Sequence, residues 1–432
     1  MLRWSFSIPI TPITPIAPHA LDVVGQIVYF GSSVKGNPTN YLYARNISSG
    51  VEIWRYNTSI PINYVTHFKN NGVDYVAAGT GGSTTQPSKS YVIARSTTGN
   101  VTHWQSTNLV SPVISLSSAK SYLTTGEDVI AGLDNGDGTG TIVRLRGDNG
   151  TVTWNYQTNG SVFTISELKD GSIIVGTREI SPPTGHVYCL NANGSLRWGL
   201  FYQDKPITLV KKFVDVNGNN EPEVIAVFKD YSPPYNGFIH VLDGTNGAEV
   251  SPWPFINNGD PIKDLLCTED YTRDGFPDIV IGTEDGNLTI VDGHTASRFR
   301  GPVSVGYTVS YIQYIYYYEN GIAYLNKTLA VSVQEYVPPS SYPYFIRGIN
   351  ASNLSIMKEY SVPFRAENLF NTRNYTQPFV GDLIFTAYNT VYNISGDEII
   401  VPEYPSPIIL LTLLIAVWLL MVGLRHGRLK VQ

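Results

Sequence analysis

Two cysteines, Cys189 and Cys267, are too few for a disulfide scaffold in a chain of 432 residues. Each lies in an apolar run, "VYCL" and "LLC", which is the setting of a buried free thiol; a single disulfide is the alternative. Charge is scarce as well: 15% of residues are charged, the net charge is −6 and no basic stripe stands out, so nucleic acid is excluded as a partner. None of the seven histidines stands at His-x-x-x-His spacing, which leaves no histidine-based metal motif. No Gly-x-Ser-x-Gly nucleophile elbow occurs. The Gly-rich "GTGGSTT" at 79–85 lacks the Gly-Lys-Ser/Thr of a phosphate loop and reads as an exposed loop. Long amphipathic helical patterns are missing too.

What is abundant points to strands and turns. The chain has 29 Tyr, 39 Gly and 27 Pro; aromatic residues suit a pleated surface, while Gly and Pro suit tight turns. A short apolar strand recurs as "IVYFG" to Gly31, "YVAAG" to Gly79, "DVIAG" to Gly132, "SIIVG" to Gly176 and "DIVIG" to Gly282. The variants "EVIAV" to Val227, "TLAVS" to Ser332 and "DLIFT" to Thr386 complete the series, in steps of 44 to 55 residues. Behind each comes another strand and a turn, closing on Trp54, Trp104, Trp154, Trp198 and Trp253 in the first five repeats; the last three keep strand and turn but lose the tryptophan.

A period near 50 residues with about four strands fits a propeller blade, whose twisted sheet buries both faces against its neighbours. The expectation is an all-β, eight-bladed propeller of four-stranded blades over residues 20–402, with blades near 20–60, 61–110, 111–160, 161–205, 206–258, 259–305, 306–364 and 365–402. The apolar "IVIG" strand would be second in its blade, and the tryptophans would pack between blades on the outer strands.

Two sets of segments carry a resemblance. "LDGTNGAEVSPW" and "GTVTW" resemble the repeats of PQQ-type quinoprotein propellers, whereas "DVNGNNEPEVIAVF" and "DYTRDGFPDIVIG" resemble FG-GAP repeats of integrin-α-like propellers. The likeness speaks for fold; such propellers host enzymes, adhesins and assembly factors alike. Quinoprotein dehydrogenases use a vicinal cysteine pair, and here the two cysteines are 78 residues apart, which argues against that chemistry.

Residues 270–278 read Asp-x-Thr-x-Asp-Gly-x-x-Asp, placing oxygens at Asp270, Thr272, Asp274 and Asp278, with the carbonyl of Phe276 between the last two. A hard cation such as Ca²⁺ wants six to eight oxygens on a sharply folding loop. Residues 215–223 repeat the spacing with Asp215, Asn217, Asn219 and Glu223; Glu221 stands at the Phe276 position, and Asn220 replaces the glycine. Asn tolerates the left-handed backbone, so the turn survives, but fewer carboxylates imply weaker binding. The FG-GAP likeness implies Ca²⁺ in both loops, and a solvated acidic turn is the alternative. Glu284 and Asp285 read as hairpin residues. Arg146-Gly147-Asp148 spells an adhesion tripeptide yet falls on the repeat's own turn. The segments 229–237, 311–321 and 335–344, rich in Tyr or in Tyr and Pro, are candidate binding rims, with strand packing the rival account of 311–318.

Residues 408–424 are uncharged and apolar, about 26 Å long as a helix, and read as a transmembrane span. Residues 403–407 form a linker. Arg425, Arg428 and Lys430 in the tail, 425–432, place it in the cytoplasm and the propeller outside. Twelve Asn-x-Ser/Thr sequons agree with that placement, although Asn149, Asn159 and Asn193 precede Gly and double as turn signals. Residues 1–19 are expected to stand apart from the propeller as an atypical export signal, interrupted by four prolines; an upstream start or insertion through the tail are alternatives. The reading at this level is a non-enzymatic, single-pass cell-surface propeller that binds an extracellular protein, a glycan or an envelope component. The alternatives are a PQQ-like quinoprotein oxidoreductase, a polysaccharide-acting enzyme or an envelope assembly factor.

Overall fold

The computed structural model describes residues 2–7, 20–33, 40–58, 60–81, 90–97, 101–319, 322–334, 343–351, 353–362, 366–371, 383–387 and 390–394. Every regular element among them is a strand, and the strands form eight four-stranded antiparallel sheets. The inner strands of the eight blades are Leu21–Val24, Ile62–Asn70, Val113–Lys120, Ser161–Glu167, Ile207–Lys212, Ile262–Cys267, Thr308–Glu319 and Ala366–Asn371. Each blade touches the next around the ring, and Ala366–Asn371 meets Leu21–Val24 to close it. The eight-bladed propeller read from the repeat is therefore the observed architecture.

The recurrent glycine has a packing cause. A Cβ on Gly31 would lie 2.4 Å from Ile62, one on Gly79 2.5 Å from Val113, and one on Gly132 2.4 Å from Val162. Gly176 meets Ile207 at 2.6 Å and Gly282 meets Val309 at 2.4 Å in the same way. The second strand of each of these blades gives up its side chain so that a β-branched residue of the next inner strand can seat there. Tight interdigitation of this kind is what protein interiors require.

The tryptophans hold the outer seams. Trp104 Nε1 donates to the Gly147 carbonyl at 2.8 Å, Trp154 to Ala192 at 2.9 Å and Trp198 to Gly244 at 3.1 Å, each in the turn of the following blade. Gly150, Gly194 and Gly247 close those turns with positive φ and lie against the three indoles, where a Cβ would come within 2.5 to 2.8 Å of the ring. Glycine there supplies both the left-handed backbone and the clearance.

One boundary is corrected. Residues 1–19 were expected to stand apart, but Leu2–Ser7 pairs antiparallel with Thr390–Ile394 and is the outer strand of blade eight. Phe6 packs on Phe30 and Tyr43 of blade one, with the Arg45 guanidinium 3.4 Å above its ring, so the seam that closes the ring is zipped by both ends of the described chain. A six-residue strand bounded by a proline-rich segment carries no repeat signal, which is why the sequence pattern passed over it. The proposed span 408–424, its linker and its tail lie outside the described residues; among those described, no helix is long and apolar enough to cross a membrane.

Antiparallel order within every blade sorts the connections. First-to-second and third-to-fourth turns share one face, here called lower; second-to-third loops and the crossings between blades share the upper face. The acidic loops are therefore on the lower face and the loop 229–237 on the upper.

Candidate functional site

On the lower face the two acidic loops superpose hydrogen bond by hydrogen bond. Asp215 accepts the backbone N–H groups of Gly218, Asn219 and Asn220; Asp270 accepts those of Arg273, Asp274 and Gly275. Glu223 accepts Val216 and Asn217 N–H, both at 3.2 Å, and Asp278 accepts Tyr271 and Thr272 N–H at 2.6 and 2.9 Å. The fourth and sixth positions are left-handed in both loops: Gly218 and Asn220 in one, Arg273 and Gly275 in the other. Asn220 thus takes the backbone expected of it.

Side-chain oxygens gather inside each turn. The Thr272 hydroxyl sits 3.1 Å from Asp270 and 3.3 Å from Asp278. Asn219 and Asp274 each accept a backbone N–H two residues on, from Glu221 and Phe276. The amide nitrogens of Asn217 and Asn219 point away, to Asp243 at 2.9 and 2.8 Å, so their oxygens face the loop. Glu221 turns its carboxylate out to Lys169 at 3.0 Å, leaving its main-chain carbonyl as what it could offer a cation. Among the described residues, no three His, Cys, Asp or Glu side chains already stand in a metal-ligating group.

Electrostatics separate these loops from an ordinary acidic turn. In blade three the equivalent acid, Asp128, is fully buried and pairs with buried Arg144 at 2.8 Å, whose guanidinium also donates to the Gly171 and Ala192 carbonyls. Glu223 and Asp278 are equally buried, yet Val241 and Ile290 occupy the position of Arg144. Burial pushes the Glu223 carboxyl up to about 7 and raises that of Asp278. One oxygen of Glu223 is buried without any hydrogen-bond partner. Asp215 and Asp270 go the other way: burial opposes ionisation, but three backbone donors each outweigh it and hold both low. The residues present fit a bound cation, because a buried carboxylate without a counter-charge is costly.

Other candidates are used by the fold. Arg146 pairs with Asp148, while Gly147 donates its N–H to Asp128 and accepts from Trp104, so the adhesion-like tripeptide is built into a blade turn. Cys189 is buried and Cys267 half-buried, and both are free thiols. Sequon Asn393 is fully buried and donates to the Ile47 carbonyl at 2.8 Å, and Asn350 is buried too, which removes both as glycan sites in the folded chain. Glu284 and Asp285 follow the second strand of blade six, as expected of hairpin residues, but Glu284 also takes Lys229 and Lys263.

The upper face holds a site that sequence reading missed. Six inner strands share a register shift near their upper ends, which leaves Asn63, Ile114, Phe163, Thr208, Lys263 and Ser310 outside the regular ladder. Such bulges re-aim side chains. Five of these residues line two adjoining cavities at the upper end of the central channel. One, of 480 Å³, includes Ile114, Asp134 and Glu179; the other, of 250 Å³, includes Thr208, Lys229, Lys263, Glu284 and Ser310; Phe163 and Arg178 line both. No local sequence signal marks them, since they come from five blades, three to seven. Beside them, the loop 229–237 exposes Tyr231 and Tyr235. Of the other Tyr-rich segments, 311–318 falls in the strand Thr308–Glu319, whereas residues 335–342 lie outside the described residues.

Comparison with known proteins supports the architecture. No protein-family model matches the chain, and no curated protein matches it in sequence. Solved structures do. Sqt1 of Saccharomyces cerevisiae aligns with a TM-score of 0.64 at 11% identity, covering 90% of this chain and 97% of that one. The computationally designed Ika8 protein aligns at 0.61 and 14% identity, covering 89% and 98%. The Dos1 propeller aligns at 0.55 and 12%, covering 91% and 94%. At such identities the likeness is one of fold alone.

Proposed function

We propose that the chain is a non-enzymatic binding propeller, held at the cell surface by residues 408–424, that captures an extracellular protein, glycan or envelope component on its upper face. The observation that carries this reading is the repeated register shift. Five re-aimed side chains converge on the channel mouth beside an exposed tyrosine loop, while the rest of each blade is given to packing. Tyrosine offers rigid, amphipathic contact area, and loops on a rigid scaffold are where recognition concentrates. Membrane-impermeant labelling of intact cells expressing the full chain, followed by crosslinking through Tyr231 or Tyr235, tests it. A specific surface partner that is lost when both tyrosines become alanine is the expected result. Protection of the propeller from the label, or turnover of a substrate abolished by one point mutation, overturns it.

Ca²⁺ in the loops 215–223 and 270–278 belongs to the same proposal as a structural staple. It would be held by Asp270, Thr272, Asp274, Asp278 and the Phe276 carbonyl in one loop, and by Asp215, Asn217, Asn219, Glu223 and the Glu221 carbonyl in the other. A divalent ion would supply at Glu223 and Asp278 the positive charge that Arg144 supplies at Asp128. A quinoprotein oxidoreductase finds less support, because Cys189 and Cys267 lie on different blades, four and six.

A further inference from the structure

We propose that the upper mouth of the channel, at blades four to seven, is a receptor for a single carboxylate presented by a peptide, gripped by Arg178 with Lys229, Lys263 and Ser310. The inference rests on the reading of the chain as a binding scaffold and gives that scaffold its ligand chemistry.

Arg178 is the first reason. Its guanidinium lies 3.4 Å over the Phe163 ring and, among the described residues, makes no ion pair and no hydrogen bond. Other half-buried or buried arginines do: Arg144 has Asp128, Arg45 has Glu52 and Arg347 has Glu359. Stacking on an aromatic face leaves the planar fork of an arginine free for a carboxylate, to which it can donate twice. Ser310 is the second reason. The residue is 6% exposed, lines the same cavity, and its hydroxyl has no hydrogen-bond partner. A buried polar atom left unsatisfied in a cavity is a group waiting for a ligand or a water.

Charge selects the class of ligand. Lys229 and Lys263 both approach one oxygen of Glu284, at 3.4 and 3.1 Å, so that carboxylate neutralises only one of them. Asp264, also in the lining, accepts the N–H groups of Ile312 and Leu265. Within the 250 Å³ cavity three cations against Glu284 and Asp264 leave one net positive charge, which matches a carboxylate better than a dianionic phosphate, whereas Asp134 and Glu179 in the adjoining cavity oppose any further anion beside it. Shape selects its carrier. The adjoining 480 Å³ cavity gives room for flanking residues over Phe163 and Ile114, and the tyrosine loop 229–237 begins at Lys229 itself.

The test is fluorescence anisotropy with the full chain and three labelled heptapeptides of glycine and alanine: one with blocked ends and a central glutamate, one with glutamine in its place, and the glutamine peptide with a free C-terminus. The glutamate peptide should bind at least about tenfold more tightly than its blocked glutamine counterpart. Arg178→Gln should remove that preference, and Lys263→Gln, at a half-exposed position, should reduce it several-fold, with the melting temperature of both variants unchanged. Binding of the free-ended glutamine peptide would assign the carboxylate to a chain terminus rather than a side chain, and supports the site either way. Absence of binding, equal binding of glutamate and glutamine peptides, or full affinity in folded Arg178→Gln overturns it. So does inorganic phosphate displacing the peptide at lower concentration than acetate. If Arg178→Gln leaves capture of a surface partner intact, the binding-scaffold reading stands and this site falls.

Discussion

Blades two to five and blades six to eight solve the same seam problem by different means. From blade two to blade five, an indole reaches into the turn of the next blade, donates to its carbonyl, and lies under a left-handed glycine. At the seam between blades five and six the arrangement weakens: Trp253 is still buried, but its Nε1 has no partner and Ala296, with φ of 54°, stands where the glycines stand. Between blades six and seven the tryptophan is gone. Arg300, paired with Ile290, stands where Trp154 pairs with Arg144; its neighbour Phe299 is 41% exposed, and the turn position is Leu354, left-handed at φ of 60° and fully buried. The volume that an indole fills from one side is filled by a leucine from the other. Tryptophan and glycine are one device where the indole donates to the turn carbonyl, and where that hydrogen bond is missing the glycine is released.

The largest break in that comparison comes from truncating the two outer-strand residues. Trp104→Ala should cost about 3–5 kcal/mol by denaturant unfolding, combining lost burial, a cavity and the loss of the indole hydrogen bond to the Gly147 carbonyl, which keeps only His103 Nε2 at 3.1 Å. Phe299→Ala should cost less than about 1 kcal/mol, because the ring is half in solvent already. Equal losses at the two sites would mean that the outer strands, not the staples, set seam strength.

Second in size is the cation effect, which contrasts blade three with blades five and six. Occupied loops at a hundredfold excess of Ca²⁺ over its dissociation constant should stabilise the chain by about 2.7 kcal/mol per site, and chelation should lower the melting temperature accordingly. Asp274→Ala should weaken that response, and Glu223→Gln should weaken it at the other loop. Blade three, carrying its own guanidinium, should show no such dependence: Asp128→Asn should destabilise equally with and without Ca²⁺. Unchanged melting in chelator would leave both loops as acidic turns.

Much of this was legible before any coordinates. The glycine-ended strand repeats because the next blade's valine or isoleucine needs its Cβ space, so period, strand type and blade number all show in the residues. The loops at 215 and 270 were legible for a related reason, since backbone N–H groups capped at fixed offsets force acids to fixed spacings. What stayed hidden is what spacing cannot encode. Leu2–Ser7 joins blade eight across the whole chain, and the channel mouth assembles Phe163, Arg178, Lys263 and Ser310 from blades four, six and seven. The counter-charge difference between Asp128 and Asp278 was hidden too, because it depends on which side chain in the third strand points at the acid.

Turn glycines allow a test in which the sign itself discriminates. Gly247→Ala should destabilise by about 1–3 kcal/mol, since a Cβ there would lie 2.8 Å from the Trp198 ring on a backbone with φ of 75°. Ala296→Gly should instead stabilise by about 0.5–1 kcal/mol, by relieving a left-handed alanine. Leu354→Gly should destabilise despite the same relief, because it empties a buried position. A uniform sign across the three would separate tryptophan from glycine and end the argument that they act together.

The smallest effect distinguishes an ionic seam from these apolar ones. His67, on the inner strand of blade two, hydrogen bonds through Nδ1 to Asp22 on the inner strand of blade one at 2.8 Å, with Glu127 and Asp74 also in range. The Asp22 hydrogen bond raises the His67 pKa, against the opposing effect of burial. A raised histidine contributes fully below its unfolded value near 6.5 and loses that contribution as pH climbs through the folded value. The side chain is half exposed, so solvent screening keeps the contribution under about 1 kcal/mol. Unfolding midpoints compared between pH 5.5 and 8.5 should therefore fall slightly more in the wild-type chain than in His67→Gln, and in 1 M salt the difference should shrink. A steeper fall in His67→Gln would mean that Asp22 is better solvated than paired, and that this seam too is held by its apolar contacts.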